Sequence, residues 1–246
     1  MELETFYFPV EEREIALSDN QQQVSGYKAI VSPQDGRDEP ISVVKDTYKL
    51  VPNRQIIEPF LEQVHSLGSQ WYIDSSHTFA SKNRMRLQIT FPELCIQDNE
   101  SLIPLSLYLH NSYDMSEGVR VFFGAIRLAC SNGMVFGRVW NSFYGRHTKG
   151  FAFDRLAVEF DNAAGKIQAL QDRIHYLEQS SLSQDRFECL QHSLGKKRIA
   201  EIMDPQSALQ LSQWEAYNRI TYHISHEVDK DRRADLQTRL SGVFDL

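Results

Sequence analysis

Residues 119–130, VRVFFGAIRLAC, form a run that is apolar apart from Arg120 and Arg127, and an Asn132-Gly133 pair follows closely. No other stretch restricts the fold so tightly. Twelve residues rich in Val, Phe and Ile suit a strand, and Asn-Gly is a strong turn signal because both residues adopt positive φ readily. Upstream, Ile103, Leu105, Leu107 and Leu109 alternate with polar or aromatic residues, as do Met85, Leu87, Ile89 and Phe91. Such period-two alternation places one face of each strand in a core. Trp71 and Ile73 precede a polar turn at residues 81–83, and MVFGRVW follows the Asn-Gly turn, so the middle of the chain reads as an antiparallel meander.

The flanks complete an α+β chain. GYKAIVSPQDGRDEPISVVKDTYKLV reads as a hairpin around a Pro/Gly/Asp turn. Asn53 is placed to cap a helix through Ile56, Phe60, Val64 and Leu67 that stops at Gly68, with Pro59 implying a kink or a late start. After Gly150 the apolar spacing becomes helical. Phe160, Ala163, Ile167, Leu170, Ile174 and Leu177 form a stripe that predicts packing on the sheet in preference to a coiled-coil seam. Asp204-Pro205 is a helix start, and Gly242 is read as the end of the last of about four helices. The predicted organisation is a mainly β region over 1–150, with one helix after residue 53. A helical region over 151–246 packs on or beside the sheet, and the two form one composite domain.

Composition narrows the function. No segment of the sequence approaches the ~20 apolar residues needed to cross a bilayer. The acidic start, MELETFYFPVEEREIALSDNQQQ, lacks the basic and apolar stretches of a secretory signal, so a cytoplasmic protein is expected. Cys95, Cys130 and Cys189 form no C-x-x-C pair, which predicts buried reduced thiols and no zinc site. The net charge of −7 is uneven. Residues 1–81 carry 6 basic and 13 acidic side chains, residues 82–149 carry 8 and 5, and residues 150–246 carry 12 and 15. The middle third alone is basic, so an anionic partner is sought there.

In a regular strand Arg120 and Arg127 would point to opposite faces. A one-residue bulge at Gly124 would bring them together, near His110 and Arg138 on the neighbouring strands. Half-buried guanidiniums need counter-charges, supplied either by internal carboxylates such as Asp114 or Glu117 or by an external phosphate or carboxylate. RVWNSFYGRHTK, residues 138–149, interleaves basic and aromatic side chains without an acid, a pattern that suits unpaired bases stacked on rings while cations follow the backbone. The candidate nucleic-acid-binding residues are Arg84, Arg86, Arg120, Arg127, Arg138, Trp140, Phe143, Tyr144, Arg146, His147 and Lys149. Catalytic patterns are poor. His110 with Asp114 and His147, or His223 with His226, lack the spacing that metal or acid–base chemistry demands, and no phosphate-cradling Gly-rich loop, nucleophile elbow or carboxylate pair is present. No catalytic residue, metal or cofactor is predicted.

Several blocks resemble a known family: HNSYD at 110–114, VRV at 119–121, RLACSNG at 127–133, RHT at 146–148, YKLVPN at 48–53, and WxxYNxITYxxxH at 214–226. Together they look like the phage/plasmid-like proteins grouped as a domain of unknown function, over roughly residues 40–230. The chain departs from that pattern at Tyr113-Asp114-Met115, where the family has His-Asp-Gly, which puts a role for that loop in doubt. The resemblance implies a mobile-element origin and work in replication, recombination or defence evasion. The order of elements is also similar in topology to single-strand annealing proteins of the Rad and phage recombinase type. The expected function is therefore non-enzymatic binding of single-stranded nucleic acid, with annealing in recombination and a homo-oligomeric state. The alternative is an interaction factor that docks on a host or phage protein, and a third is a metal-dependent nuclease. Neither DNA versus RNA nor annealing versus simple binding is decided by these residues.

Overall fold

The structure, a computed structural model, describes residues 3–19, 21–34, 37–66, 68–75, 78–99, 101–127, 132–135, 143–152 and 163–246. The fold is α+β. A three-stranded antiparallel sheet comes first, from β1 (Glu11–Ala16), β2 (Gln23–Gln34) and β3 (Arg37–Lys45) in that spatial order. The helix α1 (Asn53–Ser66) follows. The larger, seven-stranded sheet contains β4 (Tyr72–Ile73), β5 (Phe79–Ala80), β6 (Arg84–Gln97), β7 (Leu102–Ser112), β8 (Val119–Arg127), β9 (Asn132–Val135) and β10 (Phe143–Gly145). Its spatial order is β10-β8-β7-β6-β4, with β5 also on β6 and β9 also on β8. From Ala163 onward the elements are helices: α2 (Ala163–Gln179), α3 (Gln184–Leu194), α4 (Lys196–Ile202), α5 (Pro205–Ala208), α6 (Gln213–Glu227) and α7 (Lys230–Phe244).

Alternation decides the core of the large sheet. Met85, Leu87, Ile89 and Phe91 of β6, Leu105, Leu107 and Leu109 of β7, and Val121, Phe123 and Ala125 of β8 are buried in one cluster. Ile56, Phe60 and Val64 of α1 and Leu170, Ile174 and Leu177 of α2 join the same cluster. Each of these side chains larger than Ala125 contributes about 1.5–3 kcal/mol of transfer free energy. The two regions therefore share one core, and α2 packs against β6 and α6 as a core helix. Phe160, the start of that stripe, lies outside the described residues. Pro59 sits inside α1, which starts at Asn53. The β6–β7 register shifts between Phe91 and Cys95, where Pro92 has no N–H to give to the ladder.

Four expectations need correction. The register of β8 against β7 and β9 runs through Gly124 without a shift, so there is no bulge. Gly124 instead serves close packing of strands, since a Cβ there would run into the Met134 carbonyl and its absence lets β9 approach β8. The helix α7 passes through Gly242 and ends at Asp245, which adopts the left-handed conformation at φ 56°. Among the described residues six helices, not about four, follow residue 150. Cys189 is exposed and Cys95 half-buried, so neither is a core thiol, and Cys130 lies outside the described residues.

Candidate nucleic-acid interface

The loop between β7 and β8 organises the site. Ser112 Oγ donates to the Glu117 carbonyl at 2.7 Å and accepts the Glu117 N–H at 2.9 Å, while Asp114 Oδ1 accepts the Ser116 N–H at 2.9 Å. These bonds fix the loop's length and turn Glu117 back over the sheet. Across β6, β7, β8 and β10 the register then sets Arg86, His110, Arg120 and Tyr144 in one cross-strand row, because Arg86 pairs with His110, His110 with Arg120 and Arg120 with Tyr144. Directly opposed residues share a face and lie within contact range.

The row runs from a buried ion pair to an open ring. Arg86 donates to Glu117, and His110 Nδ1 lies 3.2 Å from the other carboxylate oxygen of Glu117. Burial works against ionised Glu117, but the hydrogen bond from His110 and the hydrogen bond and charge of Arg86 outweigh it and hold its pKa at about 2. Burial pushes His110 down despite Glu117, so its ring is neutral at pH 7. One carboxylate is thus committed to the first two members of the row. Arg120 is different. It has no ion-pair partner among the described residues and its buried Nε has no hydrogen-bond partner there, while its guanidinium lies 5.2 Å from the centre of the Tyr144 ring. A Cβ on Gly118 would sit 2.9 Å from Tyr144 Cε2, so a bare Cα lets that ring lie down against the loop. Tyr144 remains 54% exposed. The site therefore offers an aromatic ring backed by a cation and open on its outer side.

The other sequence candidates divide clearly. Arg146 and Lys149 are exposed beyond β10. Arg84 is 3.7 Å from Asp114 and Arg86 is only 11% exposed, so the hairpin does not present these two arginines as open phosphate contacts. Phe143 turns inward and meets Phe151 edge-on at 6.1 Å, which removes it as a stacking surface. His147 is buried against Tyr48, with ring centres 5.0 Å apart, and its Nδ1–H donates to the Lys49 carbonyl at 3.2 Å. The backbone of Arg127 pairs with Asn132, but its side chain, like all of Arg138 and Trp140, lies outside the described residues. Among the described residues no group of three or more His, Cys, Asp or Glu side chains is placed to hold a metal. Glu117 entered the sequence argument only as one possible counter-ion, and Gly118 not at all. No motif in the sequence marks either residue, because hydrogen bonds inside the loop set the His110–Arg120 register.

Residues 40–241 match the family described as a domain of unknown function (DUF932). The chain belongs to the DUF932 family. No curated protein matches it, and no solved structure does. Within this DUF932 chain, the late motif block serves packing: Trp214 stacks on Tyr217 at 5.2 Å, donates to Asp98 at 3.0 Å, and both rings are buried. The block at 110–114 joins the two sheets to α1. Asn111 donates to the Val51 carbonyl and to Asn53, and the Tyr113 hydroxyl accepts the Asn53 N–H at 2.7 Å.

Proposed function

We propose that this chain binds single-stranded nucleic acid, without catalysis, along the β10 edge of the large sheet. The observation that carries the reading is the Arg120–Tyr144 pair, an exposed ring resting on a guanidinium that has no carboxylate partner among the described residues. Stacking accepts any unpaired base, and the exposed Arg146 and Lys149 extend the positive charge past the ring. The resemblance to phage and plasmid proteins supports a role in the recombination or replication of a mobile element, with strand annealing by a homo-oligomer as its most specific form. The alternative, docking on a host or phage protein, is favoured by the net charge of −7, which opposes general affinity for polyanions.

Fluorescence anisotropy with single- and double-stranded oligonucleotides across a salt series tests this. Affinity for the single strand should fall as salt rises, because bound phosphates release counter-ions. Affinity at low salt no better than ~100 μM, the weak end of ordinary non-specific binding, would overturn the reading.

A further inference from the structure

Between the chain from Val43 to Tyr48 and the β7–β8 loop lies a cup of about 370 Å³, near the lower end of the ~300–1,000 Å³ usual for small-ligand pockets. Its floor is formed by the buried residues Val44, Tyr48 and His147, and its rim by Tyr27, Val43 and Met115. All three rim residues are exposed apolar side chains, 47%, 57% and 57% accessible, gathered around one opening. Solvated apolar groups concentrated in this way mark a contact surface more than chance scatter does. Met115 holds its rim position at φ +62°, a conformation that L side chains rarely adopt.

The floor carries one polar feature. Since Nδ1 of His147 donates to the Lys49 carbonyl, the neutral ring leaves Nε2 as an acceptor, and this buried atom has no hydrogen-bond partner among the described residues. Leaving a buried acceptor unpaired is costly, so an incoming N–H has something to gain there. Lys45 stands at the opening with its ammonium available for a phosphate. The cup and the open ring are also joined through the chain. Met115 belongs to the loop whose Gly118 lies against Tyr144, and His147 is three residues beyond Tyr144.

We infer that this cup accepts one unstacked nucleobase of the strand bound at Tyr144, with a base N–H donated to His147 Nε2 and the adjoining phosphate near Lys45. This rests on the proposed nucleic-acid binding and adds a prediction of its own: a base-dependent component of affinity. A flat heteroaromatic ring with a donor edge fits an apolar cup containing one acceptor, and single-stranded recognition commonly splays a base out in this way.

The test uses the full chain and two ~15-nucleotide single strands, one ordinary and one with abasic residues throughout. Val43→Trp fills the cup from an exposed strand position where Trp is well tolerated. It should weaken binding of the ordinary strand about tenfold, in the range of one lost base contact, and leave the abasic strand within about twofold. Tyr222→Ala, at an exposed site distant in sequence, serves as the control and should change neither. If the wild type binds neither strand, the proposed function and the cup both fall. If Tyr144→Ala weakens the ordinary strand while Val43→Trp does not, the function stands and the cup inference is overturned. Loss of self-association in Val43→Trp with unchanged strand binding would assign the cup to a second copy of the chain and also overturn it.

Discussion

Arg120 is the residue on which the site turns. Arg86, beyond His110 in the row, has taken the Glu117 carboxylate, so substituting Arg120 should not strand a buried partner. We expect Arg120→Ala and Tyr144→Ala each to weaken single-strand binding by ~1–3 kcal/mol, with melting temperatures close to wild type. Because the two side chains touch, the double variant should lose less than the sum, and strict additivity in the cycle would show that they act separately. Glu117→Gln should behave in the opposite way, costing ~3 kcal/mol of stability because it leaves Arg86 buried without its charge partner. The pH profile follows from the same residues. His110 and His147 are neutral in the fold with pKa values below 6.5, so the stability they contribute is complete above about pH 6.5 and declines as acid protonates the unfolded chain. Glu117, at about 2 in the fold against 4.5 as its ordinary value, adds a second decline from about pH 4.5 downward. Thermal melts across this range should show both stages in the wild type, and Glu117→Gln should lack the lower one.

At the scale of elements, the parts written in a single period were legible and the parts set by pairing were not. The strands β6 and β7 and the helices α1 and α2 could be read because one buried face repeats every two or every three to four residues. The Asp204 cap was equally plain: its side chain accepts the N–H groups of Gln206 and Ser207, and Pro205 occupies the first helical position. The strand β1 was invisible because EEREIA has mostly exposed charged side chains and is defined by its pairing to β2, not by burial. The cross-strand row was hidden for a related reason. His110 and Arg120 are ten residues apart, and nothing short of the loop's internal hydrogen bonds fixes them opposite each other. Arg120 and Tyr144 could be named as candidates, but not as partners. Reading Gly124 as a bulge failed because a glycine that admits a neighbouring backbone and one that breaks register look alike in sequence. Gly124→Ala should cost ~1–3 kcal/mol by forcing β9 from β8, which denaturant titration will measure. Ser212→Ala, which removes the capping box at the start of α6, should cost ~1 kcal/mol in the same assay.

Over the whole molecule, the acidic ends of the sequence flank its basic middle, so binding should be local to the β10 edge and steeply sensitive to salt. Self-association belongs to this scale as well. Leu170, Ile174 and Leu177 are buried in the core, so a self-association of this chain is expected at the sheet edges instead. Light scattering should report multiples of 28.5 kDa, and a 28.5 kDa particle both with and without DNA would refute this. The chain leaving the N-terminal sheet also meets the chain just past β10. Tyr48 and Thr148 form an isolated bridge, the Lys49 N–H donates to the His147 carbonyl at 3.2 Å, and the His147 ring returns a bond to Lys49. Three-residue β10 is thereby tethered at its far end to the chain leaving the N-terminal sheet. Such a tether makes the edge and that segment a single cooperative unit of local opening. In hydrogen exchange, the amides of Lys49 and Thr148 should therefore lose protection together, ahead of the β6–β7 core, and a nucleic acid seated at the edge should slow both.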